Sequence, residues 1–595
     1  MPRRTVLGLL AAVGAISPAV AGAVEPERIQ IPPELFEEFF DPPGSTLTAT
    51  EGGFTSEDVD IDSFDGTTIS ATVFEPTTEG PHPAIMLTHG WGGNRGSLSS
   101  SGESYASAGY VTLTYDSRGF GNSEGKVSVT GENERRDASA LIDWLAERDS
   151  VLTDGENNPR VGMDGSSYGG GIQSRTAAED DRVDAIVPRA SWFDLVRSLA
   201  PNDVLKVGWV RGLLSAGMAT GDPDEEFLER GERVLHELEV EDGDREYFRS
   251  RSAVAQSEVT APTLVLQQIN DRLFPGEEGV DLFHWARDSG VDAALVIGNG
   301  TTHTLFGPNP PGRSAFRNLA DEAALAWFDD HLKGDRDHGL APVNYYNEAT
   351  DEFVETEEWP PESTKQLSFT HELETTRLDG PDAEPVTVDF FLDRDTEFVG
   401  RPTLSLDVTP IAGDFDHLMA ALQHVTDDEV TTIKDQVKPV LVEEEGTVSV
   451  DLSEIQATLQ AGDVLRVALA TNSEVLTDVN FPLGGGLFFD TPEGTGVEIG
   501  GELSLTVPGI ESEQEISVPP VADQFDPPQD LDGDGLYEDI RGTGDPSVAD
   551  VQALFENLHS PRVQENAEAF NFSGTTPDRV TVFDVQALFT RIEET

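Results

Sequence analysis

Apolar and polar positions change their spacing along this chain, and the changes divide it into parts. In the first part the runs Ala84–Thr88, Val111–Tyr115, Val161–Met163, Ala185–Val187, Thr263–Gln267 and Ala294–Ile297 are continuous and apolar, as buried strands are. Between them, Ala138–Leu145 and Glu322–Leu332 carry apolar residues three and four apart, the spacing of helices. This alternation predicts a parallel sheet with helices on both faces. Asp65-Gly66, lying between Val59–Ile61 and Thr68–Phe74, predicts a hairpin turn entering that sheet. Residues 191–256, rich in Leu, Glu and Arg and carrying Trp192, Trp209 and Phe227, interrupt the alternation and predict a helical cap. From about Asn344 the period becomes two, as in Thr403–Val408, Val448–Leu452 and Leu465–Leu469, which predicts an all-β sandwich of jelly-roll type. The last part holds a repeat: Val548–Phe555 returns as Val582–Phe589, each an amphipathic helix behind a polar loop.

The strand ends carry the candidate chemistry. Gly165-Ser166-Ser167-Tyr168-Gly169 follows one apolar run and precedes small residues, the pattern of a strand–turn–helix nucleophile elbow, with Ser167 as nucleophile. Such a fold requires serine, then an acid, then histidine along the chain. Asp271 comes just after the Thr263–Gln267 run and His303 shortly after Ala294–Ile297, so these two are the expected acid and base. His89 precedes the serine and is in the wrong order for the base. It belongs to His89-Gly90-Trp91-Gly92-Gly93, whose glycines let backbone N–H groups point inward; the Trp91 and Tyr168 N–H groups are the expected oxyanion donors.

Composition changes this picture in three ways. The 595 residues include 111 Asp and Glu against 38 Lys and Arg, a formal charge of −73, yet 37% are hydrophobic and regularly patterned, so the protein is acidic and folded. Such a surface excludes nucleic acid as a partner and suits molar salt, where the screening length falls to about 3 Å. Arg3-Arg4, a weakly apolar stretch and Ala21-Gly22-Ala23 read as a twin-arginine export leader, removed to leave a secreted protein with no retained membrane span. With no cysteine, a thiol nucleophile and disulfides are both excluded.

In the tail, Asp530, Asp532 and Asp534 stand at alternate positions beside glycines, a spacing that converges oxygen ligands on Ca²⁺. The Leu536 carbonyl and a later acid, Asp539 or Asp550, would complete that structural site; no cofactor is expected for catalysis. The second loop, Asn571–Thr575 leading to Asp584, is poorer in charge.

With these residues in hand, the chain from about Asp58 to Gly509 resembles the X-Pro dipeptidyl-peptidase and cocaine-esterase-like (CocE/NonD) serine hydrolases. The resemblance rests on the Ser167 elbow with Tyr168, on Asp116–Gly121 with Ser123 and Gly125, on Asp271 and His303, on Trp359-Pro360-Pro361, and on Gly462–Arg466 near the end of the sandwich. It implies an α/β-hydrolase fold with a helical cap and a C-terminal jelly roll. It also implies an oxyanion tyrosine after the first strand in esterase members, a place held here by Trp91. The tail is similar to a dockerin, which implies a cohesin-like partner. The expected boundaries are 1–23 for the leader, 24–343 for the hydrolase with its cap at 191–256, 344–510 for the sandwich, 511–529 for a linker and 530–595 for the calcium-loop module. The expected activity is removal of X-Pro dipeptides from peptides, with hydrolysis of small acyl or amino-acid esters as one alternative and a surface-binding protein with an inactive core as another.

Overall fold

The computed structural model describes residues 53–300, 302–303, 310–334, 337–380, 383–411, 417–426, 429–476, 496–515, 521–522, 525, 528–529, 531, 536–564, 566–574 and 579–594. The leader and the acids Asp530, Asp532 and Asp534 therefore lie outside the described residues.

Ten strands form the first sheet: β1 Phe54–Asp62, β2 Thr68–Pro76, β3 Ala84–Thr88, β4 Val111–Tyr115, β5 Val161–Ser166, β6 Val183–Arg189, β7 Thr263–Gln268, β8 Ala293–Gly298, β9 Val343–Asn347 and β10 Glu352–Thr356. Their order is β1-β2-β4-β3-β5-β6-β7-β8-β9-β10. The expected hairpin is β1–β2, which pairs Ile61 with Ile69, and from β4 to β9 all neighbours are parallel. The last two strands carry the sheet past residue 343 to Thr356. Strands β3 and β4 are buried along their whole length because helices cover both faces, which is why they read as unbroken apolar runs. Those helices are α1 Ser99–Ser107, α2 Glu132–Ala146, α3 Tyr168–Glu179, α8 Gly276–Asp288 and α9 Arg313–Phe328; between α3 and α8 the cap supplies α4 Leu195–Leu199, α5 Val207–Thr220, α6 Glu225–Glu237 and α7 Asp242–Arg249.

The sandwich follows as two antiparallel sheets. One contains β11 Lys365–Asp379, β13 Arg394–Gly400, β14 Thr403–Pro410, β18 Gly446–Asp451, β19 Ile455–Leu459 and β21 Gly496–Glu515; the other contains β12 Val386–Phe391, β15 His417–Val425, β16 Val430–Thr432, β17 Lys438–Leu441 and β20 Val464–Ala470. Their inward residues, among them Phe398, Leu404, Leu418, Leu465 and Leu505, form one core. Hydrolase and sandwich are joined by polar contacts: Lys438 Nζ donates to Glu277 Oε1 at 2.7 Å, Arg401 donates to Asp281 at 3.2 Å, and Trp359 Nε1 donates to Glu454 at 2.9 Å. Apart from residues 393–395, 460–462 and those after Ile510, this belongs to one compact unit; a second holds the tail, in which α10 Val548–Glu556, α11 Pro561–Gln564 and α12 Val582–Glu594 surround Leu554, Phe570 and Leu588. Among the described residues no helix is long and apolar enough to cross a membrane.

Candidate active site

Strand β5 delivers Ser167 to the turn before α3. The serine has φ 57° and ψ −118°, a left-handed conformation that costs a side-chain-bearing residue of the order of 1–3 kcal/mol. Neighbouring backbone enforces it: a Cβ on Gly169 would lie 2.2 Å from the Thr88 carbonyl oxygen, and one on Gly165 2.7 Å from the same atom. The two glycines therefore let the elbow seat itself on the end of β3. Ser167 N donates to the Arg189 carbonyl at 2.9 Å, and Ser191 Oγ donates to the Ser167 carbonyl at 3.1 Å.

The three residues expected from chain order meet. Ser167 Oγ lies 3.1 Å from His303 Nε2, and His303 Nδ1 lies 2.7 Å from Asp271 Oδ2. The other Asp271 oxygen accepts from Leu273 N at 2.8 Å and Phe274 N at 2.9 Å, so the carboxylate is aimed by its own loop. Asn270 ties the acid loop to the histidine loop with two 2.9 Å bonds, donating to the Gly300 carbonyl and accepting from Gly300 N. Asp271 and His303 are wholly buried and Ser167 is 4% exposed. Walls of this site are aromatic: the Phe274 ring stands 5.1 Å and the Trp209 ring of the cap 6.0 Å from the imidazole, both perpendicular to it, and Trp192 lies 5.1 Å from Phe274.

On the oxyanion side, Gly90 lies against Ser167, and neither the Trp91 N–H nor the Tyr168 N–H has a partner among the described residues. Their side chains are committed elsewhere. The Trp91 indole donates to the Leu213 carbonyl of the cap at 2.8 Å, and the Tyr168 hydroxyl donates to Glu134 at 2.8 Å. The backbone N–H groups are thus left for an oxyanion, and the indole is not. His89 accepts from Ser117 N at 3.0 Å through Nε2 and bonds the Gly90 carbonyl at 2.8 Å through Nδ1, and burial pushes its pKa below the usual imidazole range. It is a neutral brace for the oxyanion turn.

Residues 65–304 match the sequence profile of the X-Pro dipeptidyl-peptidase (S15) family. Over these residues the chain is similar to the S15 family. Its fold is that of a CocE/NonD family hydrolase from Staphylococcus aureus, with a TM-score of 0.61 at 15% identity over 78% of this chain and 98% of that one. The chain is also similar to the quorum-quenching protein AidA of Acinetobacter baumannii, 35% identical over 25% of this chain and 48% of that one. A third likeness is to a bis(hydroxyethyl) terephthalate hydrolase of Streptomyces coelicolor, 25% identical over 32% of this chain and 59% of that one. The chain thus spans about half the length of the curated relatives it matches.

Two side chains near the site that sequence reasoning missed hold these residues in place. Glu134 is fully buried and accepts from Ser128 N, Ser128 Oγ and Gly131 N as well as from Tyr168, pinning the residue after the nucleophile; burial outweighs these bonds and raises its pKa. Its signal was available as a glutamate three residues after the Gly131 helix start. Lys206, in the cap, donates to the Arg272 carbonyl at 2.9 Å and reaches the Leu273 carbonyl at 3.3 Å, and burial lowers its pKa to about 8. No local pattern marks it.

In the tail, Leu536, Asp539 and Asp550 are described. Asp550, expected as a calcium ligand, has both oxygens taken: it caps α10 through Ser547 N at 2.8 Å and Ser547 Oγ at 2.9 Å, and accepts from Arg541 Nε at 3.1 Å. Asp539 accepts from Thr543 Oγ1 at 3.1 Å and from Gly544 N. The Arg541 guanidinium therefore supplies the positive charge of this loop, and residues 539–550 do not fit a cation as well. Asp584 does the same capping work in the second repeat, accepting from Ser573 N and Thr581 N at 2.9 and 2.7 Å.

Proposed function

We propose that this protein is a secreted, salt-adapted serine hydrolase that cleaves X-Pro dipeptides from peptides through an acyl-enzyme. The observation that carries the reading is the unbroken chain of bonds from Ser167 through His303 to buried Asp271. In this reading Ser167 Oγ attacks the carbonyl carbon as its proton passes to His303 Nε2. Asp271 steadies the imidazolium, and the Tyr168 and Trp91 N–H groups receive the developing oxyanion. His303 then returns the proton to the leaving amine, and water, deprotonated by the same imidazole, releases the acyl group and restores the serine. Trp192, Phe274 and Trp209 offer flat apolar walls on which a proline ring can lie.

A second reading, hydrolysis of small esters, is favoured by one observation. Acids beside those walls are already engaged: Asp194 caps α4 and pairs with Arg249, and Glu278 accepts from Phe193 N, Asp194 N and Arg197. Neither is left to receive a substrate's amine. The likeness to a bis(hydroxyethyl) terephthalate hydrolase supports the same reading.

Hydrolysis of an Ala-Pro anilide beside a phenyl ester, by wild type and Ser167→Ala, separates the two. Anilide cleavage that needs a free amino terminus and Ser167 supports the peptidase; Ser167-dependent cleavage of the ester alone overturns it in favour of the esterase. Run from molar to millimolar salt, the assay also reads the adaptation inferred from the −73 charge, which activity unchanged at low salt would contradict.

A further inference from the structure

Between β16 and β17 the sandwich chain turns through Ile433–Val437. Lys434 and Asp435 both have φ of 55°, a conformation that persists in residues bearing a Cβ only when their surroundings over-determine it. The surroundings are the loops of the catalytic site. Gln436 Nε2 donates to the carbonyl of Asp271 at 2.8 Å, and Asp435 pairs at 2.6 Å with Arg272, whose side chain is 2% exposed. Lys434 reaches Asn299 Oδ1, on the loop that carries His303, at 3.3 Å and pairs with Glu348. From the other side Lys206 holds the next two carbonyls, those of Arg272 and Leu273. Three successive carbonyls of the acid loop are thus fastened by side chains from outside the α/β core. The base of the turn is anchored as well, because Val437 and Leu441 pack with Val204 of the cap and with Met419, Ala421 and Ala470 of the sandwich.

We propose that the Lys434–Gln436 turn is a positioning element of the catalytic triad, which makes the sandwich a working part of the active site. The proposal rests on the serine-hydrolase reading above. Its physical basis is that both Asp271 oxygens are aimed through the loop's own backbone, one onto His303 and one onto the N–H groups of Leu273 and Phe274. Rotation of the Asp271–Arg272 peptide plane would move both, and misplacement by about 1 Å costs roughly 100-fold in rate. Gln436 holds the oxygen of that plane.

The test is the full-length Gln436→Ala protein, assayed on whichever substrate the wild type turns over, with kcat and KM separated and the pH profile of kcat/KM recorded. The expected result is a kcat lower by about 10-fold with KM within about twofold, since the lost interaction acts only on the transition state. The acidic limb of the profile should move to lower pH, because a misaligned Asp271 stabilises the imidazolium less. Trp359→Phe, which removes the bond to Glu454 elsewhere in the same domain joint, is the control: it should lower Tm and leave kcat and the acidic limb in place. A Gln436→Ala enzyme with wild-type kcat and profile overturns the proposal, as does a kcat loss that tracks Tm equally in both variants. If Gln436→Ala does not fold, Asp435→Asn keeps a residue tolerant of the left-handed turn and removes the pair with Arg272; wild-type kcat there overturns the proposal too, and a fall of about threefold supports it. Wild type without Ser167-dependent turnover would instead remove the hydrolase reading, and the proposal with it.

Discussion

The proposed nucleophile and the proposed acid are both held by several bonds, but from different parts of the molecule. Ser167 is fixed by the end of its own strand and by neighbouring backbone: Thr88 beneath the two elbow glycines, the Arg189 carbonyl on its N–H, and Ser191 on its carbonyl. Asp271 is held from within the α/β core by its side-chain bonds, by its N–H on the Gln268 carbonyl and by the ties of Asn270 to Gly300, but the carbonyls of its loop are tied to Lys206 of the cap and Gln436 of the sandwich. Elbow geometry is therefore a property of a short stretch of sequence and one sheet. Acid geometry is a property of the assembled unit, and it responds to changes made far from the chemistry.

The largest effect should come from the elbow. Gly169→Ala places a Cβ against the Thr88 carbonyl where backbone has to shift, and it should cost about 3 kcal/mol of stability and about 1000-fold in kcat. Thermal melting and steady-state kinetics read both, and an active, stable Gly169→Ala enzyme would show that the elbow is not pinned by β3. On the acid side, Lys206→Met should lower kcat by about 10-fold without lowering stability at pH 7, because a buried ammonium is costly to keep charged. The sign follows from the pKa. Burial depresses Lys206 to about 8 from its ordinary 10.5, so between these values the unfolded chain holds the proton and the folded one does not. Wild-type stability therefore gains up to about 3 kcal/mol from this group as pH rises through that window, a gain that Lys206→Met lacks. Denaturation of both proteins at pH 7 and pH 10 measures the difference; parallel curves would mean that Lys206 keeps its proton in the fold across this range and is not depressed by burial.

What the sequence disclosed follows the same division. The elbow was legible because its glycines, serine and flanking strand are contiguous, and Asp271 and His303 because chain order and strand ends locate them. The sandwich and the β1–β2 hairpin were legible from their alternation and from Asp65-Gly66. Lys206 and Gln436 were not, because each acts on a loop tens to hundreds of residues away and neither sits in a local pattern. Strands β9 and β10 also carried the hydrolase sheet past the change of period near residue 344, since an antiparallel edge pair and a sandwich share the same alternation. In the tail, spacing alone could not separate a metal-ligating carboxylate from a helix cap. Asp550 is engaged by Ser547 and Arg541, and the arginine that decides its role lies nine residues upstream.

The measurement that reaches the central claim most directly is covalent labelling of the folded wild-type protein with a fluorophosphonate, followed by peptide mapping. A single adduct on Ser167, absent in Ser167→Ala and formed much more slowly in Asp271→Asn, is the result predicted. An unlabelled Ser167 in a folded protein, or labelling indifferent to Asp271, would contradict a working Ser167–His303–Asp271 triad.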